Sequence, residues 1–240
     1  EFKPQTKFQY SCLNYITLQH IIETITGQSL RDFAKENIFD ILGMQYTDYL
    51  PTIQQQDGKW INTVACPWMD RIAPTEKQKD GSVLCGQVHD PLARILNGGI
   101  SGNAGIFSNA NDIGILAAAL LNGGEYNGHR ILSPLGVKTM CTVPRELTAF
   151  GRTPGWDIFS PYASNKGDLF SPNTFGHTGY TGTSIIIDPD NDTAVILLVN
   201  AVHPEDRHSI VRLRSLVANA VAASICPPAQ VYTDHYYKRF

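Results

Sequence analysis

Between Ser184 and Val199 the chain has little choice but an antiparallel hairpin. Ser184-Ile185-Ile186-Ile187 reads as one strand, Asp188-Pro189-Asp190-Asn191-Asp192 is a polar turn, and Thr193 to Val199 returns as the second strand. The stretch that runs into it is stranger. Phe175-Gly176-His177-Thr178-Gly179-Tyr180-Thr181-Gly182-Thr183 holds three glycines, three threonines and one histidine. A strand so rich in glycine and small hydroxyls packs poorly, whereas glycine in a strand lets another backbone or a ligand approach closely. Hydroxyls and a titratable ring beside that opening are suited to gripping an anion. The alternative is a hairpin with a glycine bulge and exposed threonines.

Upstream, the pattern is helical. Residues 10–26 form the first helix, with Leu18, Ile21, Ile22 and Ile25 along one face and Gly27 at its end. Ser29 caps a second helix with Asp32 in the acid position of a capping box; Leu30, Phe33, Ile38, Ile41 and Leu42 make its buried stripe and Gly43 closes it. Residues 44–88 show no sustained period and read as loops. Asp90-Pro91 opens a short helix, and the glycine-rich run from Gly98 to Gly105 is a tight crossing of backbones. Asn111 caps a helix over 112–122, and Ser133-Pro134 starts another. Gly155 to Ile158 is expected as a short strand. Pro204 is expected to open the last helix, with Ile210, Leu213, Val217, Ala220 and Val221 covering one face of the hairpin, and Pro227-Pro228 to stop it. Helices first and a small antiparallel sheet last give an α+β fold, divided into a helical lobe over 1–150 and a sheet unit over 151–240.

Composition narrows the function classes. A net charge of −3 gives no footprint for nucleic acid or an anionic membrane. The apolar run from Ile113 to Leu121 is too short to span a bilayer. Cys12, Cys66, Cys85, Cys141 and Cys226 are scattered without a Cys-x-x-Cys pair, and His203 and His208 lack the spacing of a helical metal pair, so neither a zinc site nor any other cofactor is expected. Residue 1 is Glu and no basic stretch precedes an apolar one, so the sequence reads as a processed or excised piece.

Taken together and in order, these pieces resemble the serine β-lactamase and penicillin-binding-protein superfamily, in its class C β-lactamase, esterase and D-aminopeptidase branch. Its third motif is similar to His177-Thr178-Gly179, and its tyrosine motif to Tyr10-Ser11-Cys12 at a helix start. Ile72-Ala73-Pro74-Thr75-Glu76, Gly86-Gln87-Val88-His89-Asp90 and the Gly98 to Ser108 loop also resemble family stretches. The resemblance implies a serine hydrolase acting through an acyl-enzyme on a β-lactam, a D-amino-acid peptide or an ester, in the periplasm or outside the cell. It implies that Tyr10 shuttles the proton, that the Tyr180 N–H is an oxyanion donor, and that His177, Thr178, Gly179 and Cys12 face the substrate. A histidine where the family often has lysine makes that charge conditional near a pKa of about 6.5.

Two departures stand out. Cys12 occupies the position of the family's Asn, and a thiol is a weak donor and acceptor. No serine is followed by lysine three positions on, so the family's Ser-x-x-Lys nucleophile is missing. The resemblance therefore implies an N-terminal segment, in cis or as a separate chain, that completes the sheet and supplies the nucleophile. The chain alone is then expected to be inactive. A non-catalytic binding protein that keeps the fold is the other reading.

Overall fold

The computed structural model describes residues 3, 6–160, 166–206 and 209–225. Helix α1 (Cys12–Thr26) stops at Gly27, whose φ of 70° suits a residue without a Cβ. Helix α2 (Leu30–Ala34) is capped as expected: Ser29 Oγ accepts from Asp32 N at 3.1 Å and donates to Asp32 Oδ2 at 2.8 Å. A π-helical turn, Lys35–Phe39, joins α2 to α3 (Asp40–Leu42). That wider turn shifts the register, so the buried positions are Ala34, Phe39 and Leu42 rather than the regular stripe through Phe33 and Ile41. Short strands β1 (Asp48–Tyr49), β2 (Thr52–Gln54) and β3 (Trp60–Asn62) lie in the region without period, and β4 (Ile106–Phe107) pairs back onto β1.

Helix α4 (Ala110–Leu121) is capped by Asn109, whose Oδ1 accepts from Asp112 N at 2.8 Å, two residues earlier than the expected Asn111. The reason is that Asp112 is needed inside: its buried carboxylate accepts from Tyr46 N at 2.7 Å and Thr47 Oγ1 at 2.8 Å. Next come the hairpin β5 (Glu125–Tyr126) and β6 (His129–Arg130), helix α5 (Pro134–Cys141) behind its Ser133 cap, and the sheet strands β7 (Phe175–Thr178), β8 (Ser184–Asp188) and β9 (Thr193–Leu197). The last described helix is α6 (Val211–Ser224). The stop at Pro227-Pro228 and Cys226 lie outside the described residues.

The sheet is antiparallel in the order β7-β8-β9, with Ile187 opposite Phe175 and Ala194. Ile187 is fully buried in a cluster with Phe175, Ile158, Val137, Ala117 and Leu120. Burying such a side chain contributes about 1.5–3 kcal/mol. Ala119, on the other side of α4, joins the cluster of Phe39, Leu42, Met44 and Tyr49. Helix α4 is thus the spine between the N-terminal helices and the sheet. Residues 155–158 are no strand; Asp157 makes isolated bridges to Arg152 and to Gly176 on the β7 edge.

Two helices differ from their expected faces. Helix α6 begins at Val211, not near Pro204, and it buries Arg214 and Ala218, while Leu213 stays 42% exposed. Helix α1 buries none of its residues: Leu18, Ile21 and Ile25 are exposed. It is held by its polar side. Gln19 Nε2 donates to Ile100 O at 3.1 Å, Gln19 Oε1 accepts from Gly102 N at 3.0 Å, and Tyr15 Oη donates to Pro154 O at 3.1 Å. A Cβ at Gly102 would collide with the Tyr15 carbonyl, so the glycine-rich loop is the expected close backbone crossing.

Candidate active site

The glycine-rich stretch forms β7 and the turn into β8. Gly176 lies against Ile186, where a Cβ would strike the β8 backbone, and Gly179 lies against Thr183 Oγ1, which leaves no room for a side chain. The turn is closed by Gly179 N donating to Thr183 O at 2.7 Å and Gly182 N donating to Gly179 O at 3.1 Å. No described residue accepts from the Tyr180 N–H between them. Arg214, reaching from α6, donates through Nη2 to Gly179 O at 2.9 Å and Thr183 O at 3.1 Å. A buried cation from another element therefore grips both ends of this turn.

His177 faces the start of α1. Its ring centroid lies 6.4 Å from that of Tyr10, which precedes the α1 cap Ser11 and is 44% exposed. Between them sits Arg152, with its guanidinium carbon 5.4 Å from the Tyr10 ring centre and Nη1 3.0 Å from His177 Nε2. Burial first and Arg152 second hold the His177 pKa below the usual histidine value, against the Thr178 carbonyl and Asp157, which raise it. The conditional charge expected of His177 is thereby moved to lower pH, and the Arg152 guanidinium stands as a positive charge beside Tyr10. The Tyr10 phenol is pushed up by burial, then by Cys12, with Arg152 opposing. A phenol raised in this way is a poor base without a further cation.

The remaining predicted residues spread along one rim. Cys12 begins α1 as a partly buried free thiol, and Thr178 ends β7 opposite Ser184. The Tyr180 side chain is 75% exposed, donates to Asp206 Oδ2 at 2.5 Å and stacks on His89 with ring centroids 5.7 Å apart. His89 Nε2 lies 3.0 Å from Glu76 Oε2, so the residue beside the helix entrance also braces Tyr180. Asp90 keeps its capping role, accepting from Ala93 N at 2.8 Å. Tyr10 and His177 are thus brought together through Arg152, and Tyr180 through His89 and Arg214. Sequence reasoning missed Arg152, Asp157 and Arg214. Arg152 sits in a segment without a period, Asp157 in a stretch expected as a strand, and nothing in the helix pattern separates Arg214 from its neighbour Arg212.

Among the described residues no three His, Cys, Asp or Glu side chains converge as a metal site, and no helix is long and apolar enough to cross a membrane. Comparison with known proteins gives a consistent picture. A protein of Escherichia coli described as "Putative D-alanyl-D-alanine carboxypeptidase" is 36% identical over 217 residues, covering 85% of this chain and 47% of the relative. A protein of the same description from Salmonella gallinarum is 34% identical over the same length. The chain spans about half the length of the curated relatives it matches. Among solved structures, a beta-lactamase from Mycobacterium bovis matches with a TM-score of 0.59 at 19% identity, over 92% of this chain and 66% of that one. An octameric penicillin-binding protein homologue from Pyrococcus abyssi matches with a TM-score of 0.54 at 20% identity, over 95% of this chain and 46% of that one. Both share the fold. The family model described as Beta-lactamase matches residues 1–219, and the chain belongs to that family.

Proposed function

We propose that this chain forms one wall of a serine acyl-transfer site in a D-alanyl-D-alanine carboxypeptidase, and that the nucleophile is carried by a Ser-x-x-Lys segment upstream of Glu1. The observation that carries the reading is the convergence of Tyr10 and His177, ring centroids 6.4 Å apart, beside a turn whose Tyr180 N–H finds no acceptor among the described residues. The kinship with proteins described as D-alanyl-D-alanine carboxypeptidases favours a peptide ending in two D-alanines over a β-lactam or an ester. Such a substrate places the protein in the periplasm or outside the cell.

The chemistry is two successive acyl transfers. With Tyr10 held as the phenolate by the lysine of Ser-x-x-Lys, the serine oxygen attacks the penultimate carbonyl carbon and its proton passes to Tyr10 Oη. The tetrahedral oxyanion is held by the Tyr180 N–H and by the serine's own N–H; such a donor is worth roughly 100- to 1,000-fold in rate. Collapse breaks the C–N bond, Tyr10 returns the proton to the leaving nitrogen, and D-alanine departs. Water then attacks the ester carbonyl, giving its proton to the Tyr10 phenolate; the ester C–O bond breaks, Tyr10 returns that proton to the serine oxygen, and the shortened peptide leaves as its acid. The raised Tyr10 phenol needs the lysine of Ser-x-x-Lys beside it to serve as a base. Thr178 and Gly179 border the space for the substrate's carboxylate end.

The exposed apolar surface supports an additional polypeptide. Leu18, Ile21 and Ile25 on α1, Val211 and Leu216 on α6, and Leu198 beyond the outer strand β9 are all open to solvent. Such exposed apolar side chains are suited to an interface, and the segment that supplies the nucleophile would cover them. Incubating the protein, extended upstream, with a peptide ending in D-Ala-D-Ala tests the reading. Release of one D-alanine per peptide, blocked by penicillin, is expected. Ester or β-lactam turnover without D-alanine release would replace the substrate assignment, and binding without any turnover would favour a scaffold.

A further inference from the structure

Arg152 has a function that no motif assigns. Its side chain is only 13% exposed. Nη1 lies 3.0 Å from His177 Nε2, Nη2 lies 3.2 Å from Asp157 Oδ2, and the guanidinium carbon stands 5.4 Å from the Tyr10 ring centre and 5.5 Å from that of Phe8. Asp157 is itself fixed from two sides. Its carboxylate accepts from Ser160 N at 3.0 Å and Ser160 Oγ at 2.6 Å, and its backbone is bridged to Gly176, next to His177.

These contacts determine the protonation of the imidazole without reference to any titration. A guanidinium offers only donors, so His177 Nε2 must accept. His177 Nδ1 lies 3.0 Å from Thr178 O, and a carbonyl only accepts, so Nδ1 must carry the proton. Both bonds exist together only for a neutral ring protonated at Nδ1. A second proton on Nε2 would set an N–H against an N–H of Arg152.

We propose that Arg152, oriented by Asp157, is a positioning residue that locks His177 in the neutral Nδ1–H form and supplies the fixed positive charge shared by His177 and Tyr10. Its catalytic meaning rests on the reading of the site given above; the lock itself does not. The groups that face His177 are Tyr10 ahead of α1, Arg152 and Asp157 from the bridging segment, and the Thr178 carbonyl; Cys12 and Asp90 act through Tyr10. Removing the guanidinium charge therefore frees the ring to titrate and to exchange tautomers.

Long-range proton–nitrogen NMR of the full-length protein, labelled with nitrogen-15 in histidine, reads this directly. In the parent, the His177 nitrogen shifts should report a proton on Nδ1 and a bare Nε2 at neutral pH, with the titration displaced below the ordinary histidine value. In Arg152→Gln the ring should titrate closer to the ordinary value of about 6.5 and show mixed tautomers. In Asp157→Asn, which unseats Arg152 but also removes a carboxylate that raises the His177 value, tautomers should mix while the titration moves up less than in Arg152→Gln or not at all. A parent ring protonated on Nε2, or one that titrates at or above about 6.5, would overturn the lock even if every variant failed to fold. An unchanged titration in a folded Arg152→Gln would overturn it equally. On the same samples, acylation by a fluorescent penicillin should fall at least roughly ten-fold in Arg152→Gln, and an unchanged rate would overturn the positioning role. A locked ring in a protein that takes up no acyl group would contradict the proposed function and leave the lock supported.

Discussion

Replacing Arg214 by leucine removes a side chain that holds both ends of the β7–β8 turn. The guanidinium bonds are 2.9 Å to Gly179 O and 3.1 Å to Thr183 O, both through Nη2. A hydrogen bond involving a charged group contributes about 1.5–3 kcal/mol. The two bonds share one nitrogen, and each carbonyl keeps a backbone donor, Gly182 N or Gly179 N. The total loss of stability is therefore expected near the value for one bond, about 1.5–3 kcal/mol. The kinetic effect should be larger. The turn carries the Tyr180 N–H, and a displacement of about 1 Å at a reacting centre costs on the order of 100-fold. Stopped-flow acylation of the full-length protein by a fluorescent penicillin should slow by about 30- to 100-fold, with little change in initial binding, and Arg214→Lys should recover part of the rate. An acylation rate that stays at the parent value while the denaturation midpoint drops would refute the reasoning. Arg214 would then support the fold without aiming the donor.

Four further outcomes follow from the same structure. Gly102→Ala forces a Cβ into the Tyr15 carbonyl and should destabilise the protein by about 1–3 kcal/mol in urea titrations; an unchanged midpoint would show that α1 is not held by this crossing. Asp112→Ala strands the Tyr46 N–H, while the Thr47 hydroxyl keeps Ser108 Oγ at 2.7 Å, and should cost about 1–3 kcal/mol for the orphaned donor; a loss below about 0.5 kcal/mol would contradict the bonding described. His177 is held neutral, so its contribution to stability is present above about pH 6.5 and is lost as pH falls through its lower folded value. Denaturant midpoints measured between pH 7 and pH 5 should fall more steeply for the parent than for His177→Gln, and parallel slopes would reject this sign. The 240-residue chain expressed alone exposes Leu18, Ile21 and Ile25 and a β9 edge that pairs with no further strand among the described residues, and it should associate in analytical ultracentrifugation; a monodisperse, cooperatively melting monomer would count against a covering segment.

Local signals carried most of the legible fold. Gly27, Gly43, the Ser29 and Asp32 pair and Ser133-Pro134 act within one turn of the backbone, so each was readable from neighbours in sequence. The Ile185 to Ile187 run and its polar turn were readable for the same reason. Features set by distant partners were not. The π-helical turn at Lys35–Phe39 moves Phe39 into the core, and no sequence period announces it. Asn109 caps α4 because Asp112 is needed by Tyr46 and Thr47, more than sixty residues away. The hairpin at Asn127-Gly128 did carry a signal, since both residues adopt positive φ, 49° and 80°, in the turn that Asn-Gly favours. In the site, His177, Thr178, Gly179 and Tyr10 were recognisable as motif residues. Arg152 and Arg214 were not, because their importance lies in carbonyl, imidazole and carboxylate partners that only the folded chain brings near.

The central claim is that Tyr10, His177 and Tyr180 face a serine that lies outside this chain. Labelling the full-length protein with a fluorescent penicillin, followed by peptide mapping of the label, tests it most directly. The account predicts one acylated serine upstream of Glu1, three residues before a lysine, with labelling reduced by Tyr10→Phe. Label on a serine within the 240 residues, or no upstream Ser-x-x-Lys and no labelling, would contradict it.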